Sequence, residues 1–134
     1  MCLPVTSKPI IKITAILAAL ILIAGAAFHM SGLAPVKETL ADVKPVFYQD
    51  ALSGIWVMPS VHWILIAFLS VGLSWYKSKA CAATLIAFGV LVFVDGLIAV
   101  FHIGPFIGVY LLWLSGVLLL ISGVMLRKDV QSAE

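Results

Sequence analysis

Long apolar stretches separated by short polar segments dominate the chain. Four of them are long enough to cross a bilayer, because about 20 mainly apolar residues span about 30 Å of hydrocarbon as a helix. They cover residues 13–30, 55–76, 80–101 and 106–126. None alternates polar and apolar residues as a barrel strand does. The pattern therefore predicts an all-α integral membrane protein, a four-transmembrane-helix bundle that forms a single domain over residues 1–134.

The polar connections differ in length. Residues 31–54 form a long loop, whereas residues 77–79 and 102–105 form two tight turns. Short connections make neighbouring helices antiparallel, so we expect spans two to four to form an up-down-up unit against which span one packs. In the long loop, Val36, Leu40 and Val43 recur at helical spacing. This indicates a short amphipathic helix on the membrane surface, a solvated connection, or a lid over the outer end of the bundle.

Composition excludes most other classes of protein. Of the 134 residues, 63% are apolar and 10% are charged, whereas an ordinary soluble domain has about 25% charged residues. A soluble enzyme and a nucleic-acid-binding protein are excluded on this ground. The lipid bilayer is the first expected partner, and further copies of the chain or a larger membrane complex are the next.

The basic residues predict the orientation. Only Lys37 and Lys44 lie in the long loop, and six basic residues lie on the other side of the spans: Lys8, Lys12, Lys77, Lys79, Arg127 and Lys128. The positive-inside rule then places both termini in the cytoplasm and the long loop outside. Tight turns and short tails favour a bacterial inner membrane. A basic start, an apolar run and the small residues 24–27 also describe a signal peptide, whose cleavage would leave three spans.

Four ionisable residues fall toward the predicted outer end of the spans. Asp95 is the one acid inside a span, and His29, His62 and His102 accompany it. At 1.5 Å of rise per residue, Asp95 lies roughly 10 Å below the outer end of span three. His62 shares that depth if span two begins near residue 55, so the two side chains are predicted to meet. A helix start near Pro59 would instead leave His62 at the interface.

Two interpretations of this cluster stay open. In the structural one, a hydrogen bond between His62 and Asp95 locks two helices together, while His29 and His102 lie among the lipid headgroups. In the functional one, ionisable groups within a span mark an ion or substrate path, a proton relay or a metal site. Under either interpretation Asp95 needs a partner or a role, because a mid-helix Asp costs roughly 2.5–3.5 kcal/mol on insertion scales.

Several chemistries suit a functional cluster. Three imidazoles with a carboxylate (His62, Asp95, His29 and His102) could ligate a transition metal, and two facing histidines could hold haem b, as in a redox or oxygenase-type membrane protein. A proton-coupled carrier of small molecules would instead use Asp95 as its switching carboxylate. In length and in its four spans the chain resembles the small multidrug resistance transporters. Those proteins carry a membrane-embedded Glu in span one, where this chain has no acid, so no residue role carries over. We expect first a non-enzymatic accessory or binding protein.

Aromatic residues have two expected roles. Trp56 and Trp63 are interpreted as part of an aromatic belt at the outer interface. Tyr110 and Trp113 lie deeper, and their polar groups need hydrogen-bond partners. Asp95 is a candidate partner, and together with His62 these residues would serve a structural role or a proton relay.

Small residues recur at seven-residue steps in the last two spans. Close approach of these two helices is predicted from Ala82, Gly89 and Gly96 and from Gly116 and Gly123. The Gly104–Gly108 pair straddles Pro105, which favours a tight turn over a dimerisation motif.

Overall fold

The computed structural model describes residues 7–132, and its architecture is all-helical. The helices are α1 (Pro9–Ser31), α2 (Leu33–Thr39), α3 (Val46–Ser74), α4 (Lys79–Ile103) and α5 (Ile107–Gln131). Among the residues described, α1, α3, α4 and α5 are long and apolar enough to cross a membrane. The predicted all-α fold with four helices able to span a membrane is confirmed.

Local sequence explains where these helices begin and end. Pro9 occupies the first turn of α1, where its missing N–H costs nothing. The Ser78 side chain caps α4 by accepting a hydrogen bond from the Ala80 N–H at 3.2 Å. Gly104 ends α4 with φ +93°, a left-handed conformation that favours glycine, and Pro105 follows. The tight turn predicted at Gly104 is therefore present.

The connection between the first two spans is shorter than the predicted 31–54. It contains α2, in agreement with the short helix that was one of the alternatives, and α3 already begins at Val46, after Pro45 at its N-cap position. Tyr48, Gln49 and Asp50 interrupt the apolar pattern, yet they are helical. α3 also continues through Pro59, as transmembrane helices can when neighbouring groups satisfy the freed backbone. The predicted start near Pro59 is therefore wrong, and the helix begins nine residues before the other predicted start at residue 55.

α1 lies between α3 and α5 rather than at the margin of the packing. It packs against α3 on one side and α5 on the other, while α3 and α5 hardly touch each other. The buried face of α1 is mostly small, with Ala15, Ala18, Ala19, Gly25 and Ala26. Small side chains let a helix approach two neighbours closely. The predicted unit of spans two to four, with span one added to it, is therefore not the arrangement found.

α4 and α5 form the most extensive interface, whereas α3 and α4 meet along a much looser seam. A Cβ added at Gly89 would lie 2.9 Å from the Gly116 carbonyl oxygen, and one added at Gly123 would lie 2.8 Å from the Ile86 nitrogen. The small residues thus bring the two backbones together, as predicted.

Ion pairs join the two ends of the described chain. Asp129 Oδ1 lies 3.3 Å from Lys8 Nζ and 3.4 Å from Lys77 Nζ, and Asp129 is only 5% exposed. Nearby, the Ser122 hydroxyl donates a hydrogen bond to the Ile11 carbonyl at 3.0 Å. We call this end, where α1 begins and α5 ends, the basic end. The opposite end, next to α2, is called the cavity end.

Candidate functional site

A cavity of about 220 Å³ lies between the helices at the cavity end. Residues of α1, α3, α4 and α5 line it, and most of its wall is apolar. Four ionisable side chains are the exception: His29, His62, Asp95 and His102. These are the four residues that the sequence singled out, and the structure places all of them on one cavity.

Asp95 and His62 form the predicted pair. His62 Nε2 lies 2.8 Å from Asp95 Oδ2, which joins α3 to α4 across their loose seam. The Trp63 indole N–H donates to the same oxygen at 2.9 Å. Trp63 is therefore a buried partner of Asp95, and its assignment to the aromatic belt is wrong.

The two bonds to Asp95 use one oxygen. An indole N–H can only donate, so Asp95 Oδ2 accepts from Trp63, and His62 Nε2 donates to the same oxygen when Asp95 is a carboxylate. Both bonds converge on Oδ2, so Oδ1 accepts no hydrogen bond from a described residue. The His62 and Asp95 side chains are 40% and 19% exposed. Asp95 Oδ1 and His62 Nδ1 are thus the two polar atoms of the pair that are left for a ligand.

His29 is fixed by Trp56. Its Nε2 lies 2.9 Å from the Trp56 carbonyl oxygen, and the Trp56 indole N–H donates to the His29 carbonyl at 3.2 Å. The two rings stack, with centroids 4.4 Å apart and an interplanar angle of 13°. His29 also meets the Trp63 ring edge at 5.4 Å. These contacts hold His29 in the wall of the cavity, and the early start of α3 is what brings Trp56 within reach.

His102 has a different environment. It lies in the last turn of α4 and is exposed. No described residue forms a hydrogen bond with its ring, although it lines the cavity. His102 is the ring at the cavity edge that is free to bond a ligand.

Tyr110 and Trp113 are not partners of Asp95, so that prediction is wrong. The Trp113 ring stacks on Phe93 with centroids 5.8 Å apart, and Tyr110 packs edge-on against Trp113 at 6.1 Å. Trp113 Nε1 is buried without a hydrogen-bond partner among the described residues. A Cβ added at Gly96 would lie 2.6 Å from that nitrogen, so Trp113 covers the Gly96 face of α4. Asp95 precedes Gly96 and points about 100° away, toward α3.

The arrangement does not fit the predicted metal and haem sites. Within residues 7–132, no group of three or more His, Cys, Asp or Glu side chains is placed to hold a metal ion. His29 Nε2 and His62 Nε2 are already engaged by the Trp56 carbonyl and the Asp95 carboxylate. At about 220 Å³, the cavity is also below the roughly 300–1,000 Å³ of pockets for drug-sized ligands, and a haem is larger than those.

No protein-family model, curated protein or solved structure matches the chain. The fold and the cavity define a small membrane protein with four helices able to span and with ionisable groups gathered at one end. Its function has to be argued from that cavity.

Proposed function

We propose that this is a non-enzymatic membrane protein that binds a small, mainly apolar ligand in the cavity between its helices. The observation that carries the proposal is the gathering of His29, His62, Asp95 and His102 around one apolar cavity. In a packing role alone, the His62–Asp95 bond would need no cavity beside it. The bias in basic residues favours an orientation with the cavity end outside and both termini in the cytoplasm, and the short turns and tails favour a bacterial inner membrane as the location.

Cavity size limits the ligand to about one substituted ring. An engineered apolar cavity of about 150 Å³ binds benzene, and this cavity is about 220 Å³. The wall explains why the ligand would be mostly apolar: Phe28, Ile98 and Leu112 form part of it. A ring with one polar substituent fits both the volume and the wall.

The polar groups select the substituent. Asp95 Oδ1 accepts no hydrogen bond from residues 7–132, and His62 Nδ1 is a second acceptor when that ring is neutral. A hydroxyl or N–H on the ligand would give its hydrogen to one of these atoms. An unpaired polar group buried in an apolar cavity costs several kcal/mol. A ligand whose polar substituent forms this hydrogen bond should therefore bind better than one whose substituent cannot.

The loose seam between α3 and α4 offers access from the bilayer. Ile98 on α4 lines the cavity and is also 52% exposed. An apolar ligand concentrated in lipid could therefore enter between the helices without first crossing the headgroups.

Phenol and toluene test the proposal, because they are alike in size and only phenol donates a hydrogen bond. We expect phenol to shift the Trp63 indole resonance of the detergent-purified protein saturably, and at lower concentration than toluene. Ala99→Leu fills the cavity and should weaken phenol binding by about tenfold. Ala87→Leu makes the same change at an exposed position of α4 and should leave binding unchanged.

Two results would overturn the proposal. One is the absence of a saturable shift with either probe. The other is equal weakening by Ala99→Leu and Ala87→Leu, since that would place phenol on the outer surface instead of in the cavity.

A further inference from the structure

A second cavity lies at the basic end, in a groove between the start of α4 and the end of α5. Its volume is about 560 Å³, and it is lined by Lys79, Ala83, Ile86, Arg127 and Gln131. On each helix the lining residues are one turn apart, so the groove runs along both helix axes. It shares no residue with the cavity of the proposed function.

The packing beneath this groove fixes its walls. A Cβ added at Gly123 would lie 2.8 Å from the Ile86 nitrogen and 3.0 Å from the Ala82 carbonyl oxygen. The two backbones therefore nearly touch one turn deeper than Arg127. Long side chains replace the small ones beyond that point, and the space between the helices widens. The groove is thus preformed by a rigid interface.

Its electrostatics favour an anion. Arg127 forms no ion pair with a described residue, and the acid closest to it in sequence, Asp129, is buried and bound to Lys8 and Lys77. Among the residues described, the basic end carries this one acid and six basic residues: Lys8, Lys12, Lys77, Lys79, Arg127 and Lys128. A planar guanidinium suits bidentate contact with a phosphate.

Below the groove the surface is apolar. Val90 lies one turn deeper than Ile86, Val124 lies one turn deeper than Arg127, and both are exposed. A site with basic side chains at the end of the helices and exposed apolar side chains one turn deeper suits an amphiphile better than a free ion. Basic pockets between membrane helices bind anionic lipid headgroups in this way.

We propose that this groove binds the headgroup of an anionic phospholipid. Arg127 and Lys79 contact the phosphate, Gln131 adds a hydrogen bond, and an acyl chain lies along Val90 and Val124. The site is independent of the ligand cavity at the other end, so either proposal can fail without the other.

Native mass spectrometry of the full chain in detergent can test this inference. The probes are phosphatidylglycerol and phosphatidylcholine with the same acyl chains. We expect preferential retention of phosphatidylglycerol. Each basic residue near a membrane surface strengthens binding of an anionic lipid about fivefold. Arg127→Gln should therefore weaken phosphatidylglycerol retention about fivefold, and the double variant with Lys79→Gln should weaken it about 30-fold. Arg127→Lys keeps the charge and should retain most of the binding.

Lys128→Gln is the matched control. It removes the same charge from an exposed neighbour that does not line the groove, and it should leave retention unchanged. An equal loss in this variant would show general attraction to a basic surface and overturn the site. Equal retention of the two lipids would also overturn it. Displacement of phosphatidylglycerol by an equal concentration of inorganic phosphate would show a free-anion site instead.

Discussion

A single carboxylate oxygen organises the cavity end. Asp95 Oδ2 accepts a hydrogen bond from the Trp63 indole N–H and lies 2.8 Å from His62 Nε2, so one half-buried acid attaches α4 to two consecutive side chains of α3. Hydrogen bonds to charged groups contribute about 1.5–3 kcal/mol, roughly twice the neutral value. Asp95 is therefore both the anchor of the loose α3–α4 seam and the polar centre of the candidate site.

The contribution of the Trp63–Asp95 hydrogen bond to stability can be measured by replacing Trp63 and Trp113 in turn with Phe. Both indoles are packed in the bundle, but the Trp63 N–H is bonded to Asp95 and the Trp113 N–H has no partner among residues 7–132. We expect Trp63→Phe to lower the free energy of unfolding by about 1–2 kcal/mol more than Trp113→Phe. Denaturation in mixed micelles gives both values. An equal or larger loss for Trp113→Phe would mean that the bond to Asp95 adds no stability.

At the same scale, depth arithmetic explains what could be predicted. Helical rise predicts that His62 and Asp95 share a depth if span two begins before Pro59, and the structure shows that it does. Trp63 was missed because a tryptophan near a helix end has the same sequence signal whether it faces lipid or Asp95. The His29–Trp56 contact depends on the true start of α3, which polar residues at positions 48–50 conceal.

At the scale of elements, the four apolar helices followed directly from hydropathy, but their partners did not. Chain order suggested that α3, α4 and α5 form the core unit. The small face of α1 instead makes that helix the common neighbour of α3 and α5. Length and apolar content decide whether a helix spans a membrane, whereas side-chain volume on each face decides what it packs against.

Close packing of α4 and α5 gives a prediction on glycine substitutions. Gly89→Ala would place a Cβ 2.8 Å from the Leu120 nitrogen, so backbone would have to move. Overpacking of this kind costs about 1–3 kcal/mol. Gly72→Ala is the matched control, because nothing lies within 4 Å of its added Cβ, and alanine favours a helix by about 0.5–1 kcal/mol. Unfolding in detergent should show a loss for Gly89→Ala and a small gain for Gly72→Ala. The interface would be looser than described if both variants gained stability.

At the scale of the whole molecule, Asp129 ties the bundle together at the basic end. It joins Lys8 before α1 to Lys77 between α3 and α4, so three parts of the chain converge on one buried carboxylate. The sequence assigned no role to Asp129, because an acid in a polar tail has the same signal whether it is solvated or buried. The convergence depends on how the helices pack.

Removing each partner should rank the two ion pairs. Lys8 is 64% exposed and Lys77 is 15% exposed. An exposed pair contributes about 0–1 kcal/mol, whereas an acid left buried without a partner costs more. We therefore expect the loss in free energy of unfolding to be smallest for Lys8→Gln, larger for Lys77→Gln and largest, about 1–3 kcal/mol, for Asp129→Asn. Thermal unfolding at low and high salt gives the order. Equal losses for the two lysine variants would contradict the proposed difference in burial.

The hydrogen bond from Ser122 to the Ile11 carbonyl joins positions 111 residues apart. During synthesis, the first helix therefore enters the bilayer long before its partner on α5 exists. Until α5 is made, the small face of α1 has only α3 to pack against, and the side that later meets α5 stays open to lipid or to an insertion factor. Synthesis that stops before α5 therefore leaves α1 without a permanent neighbour on that side.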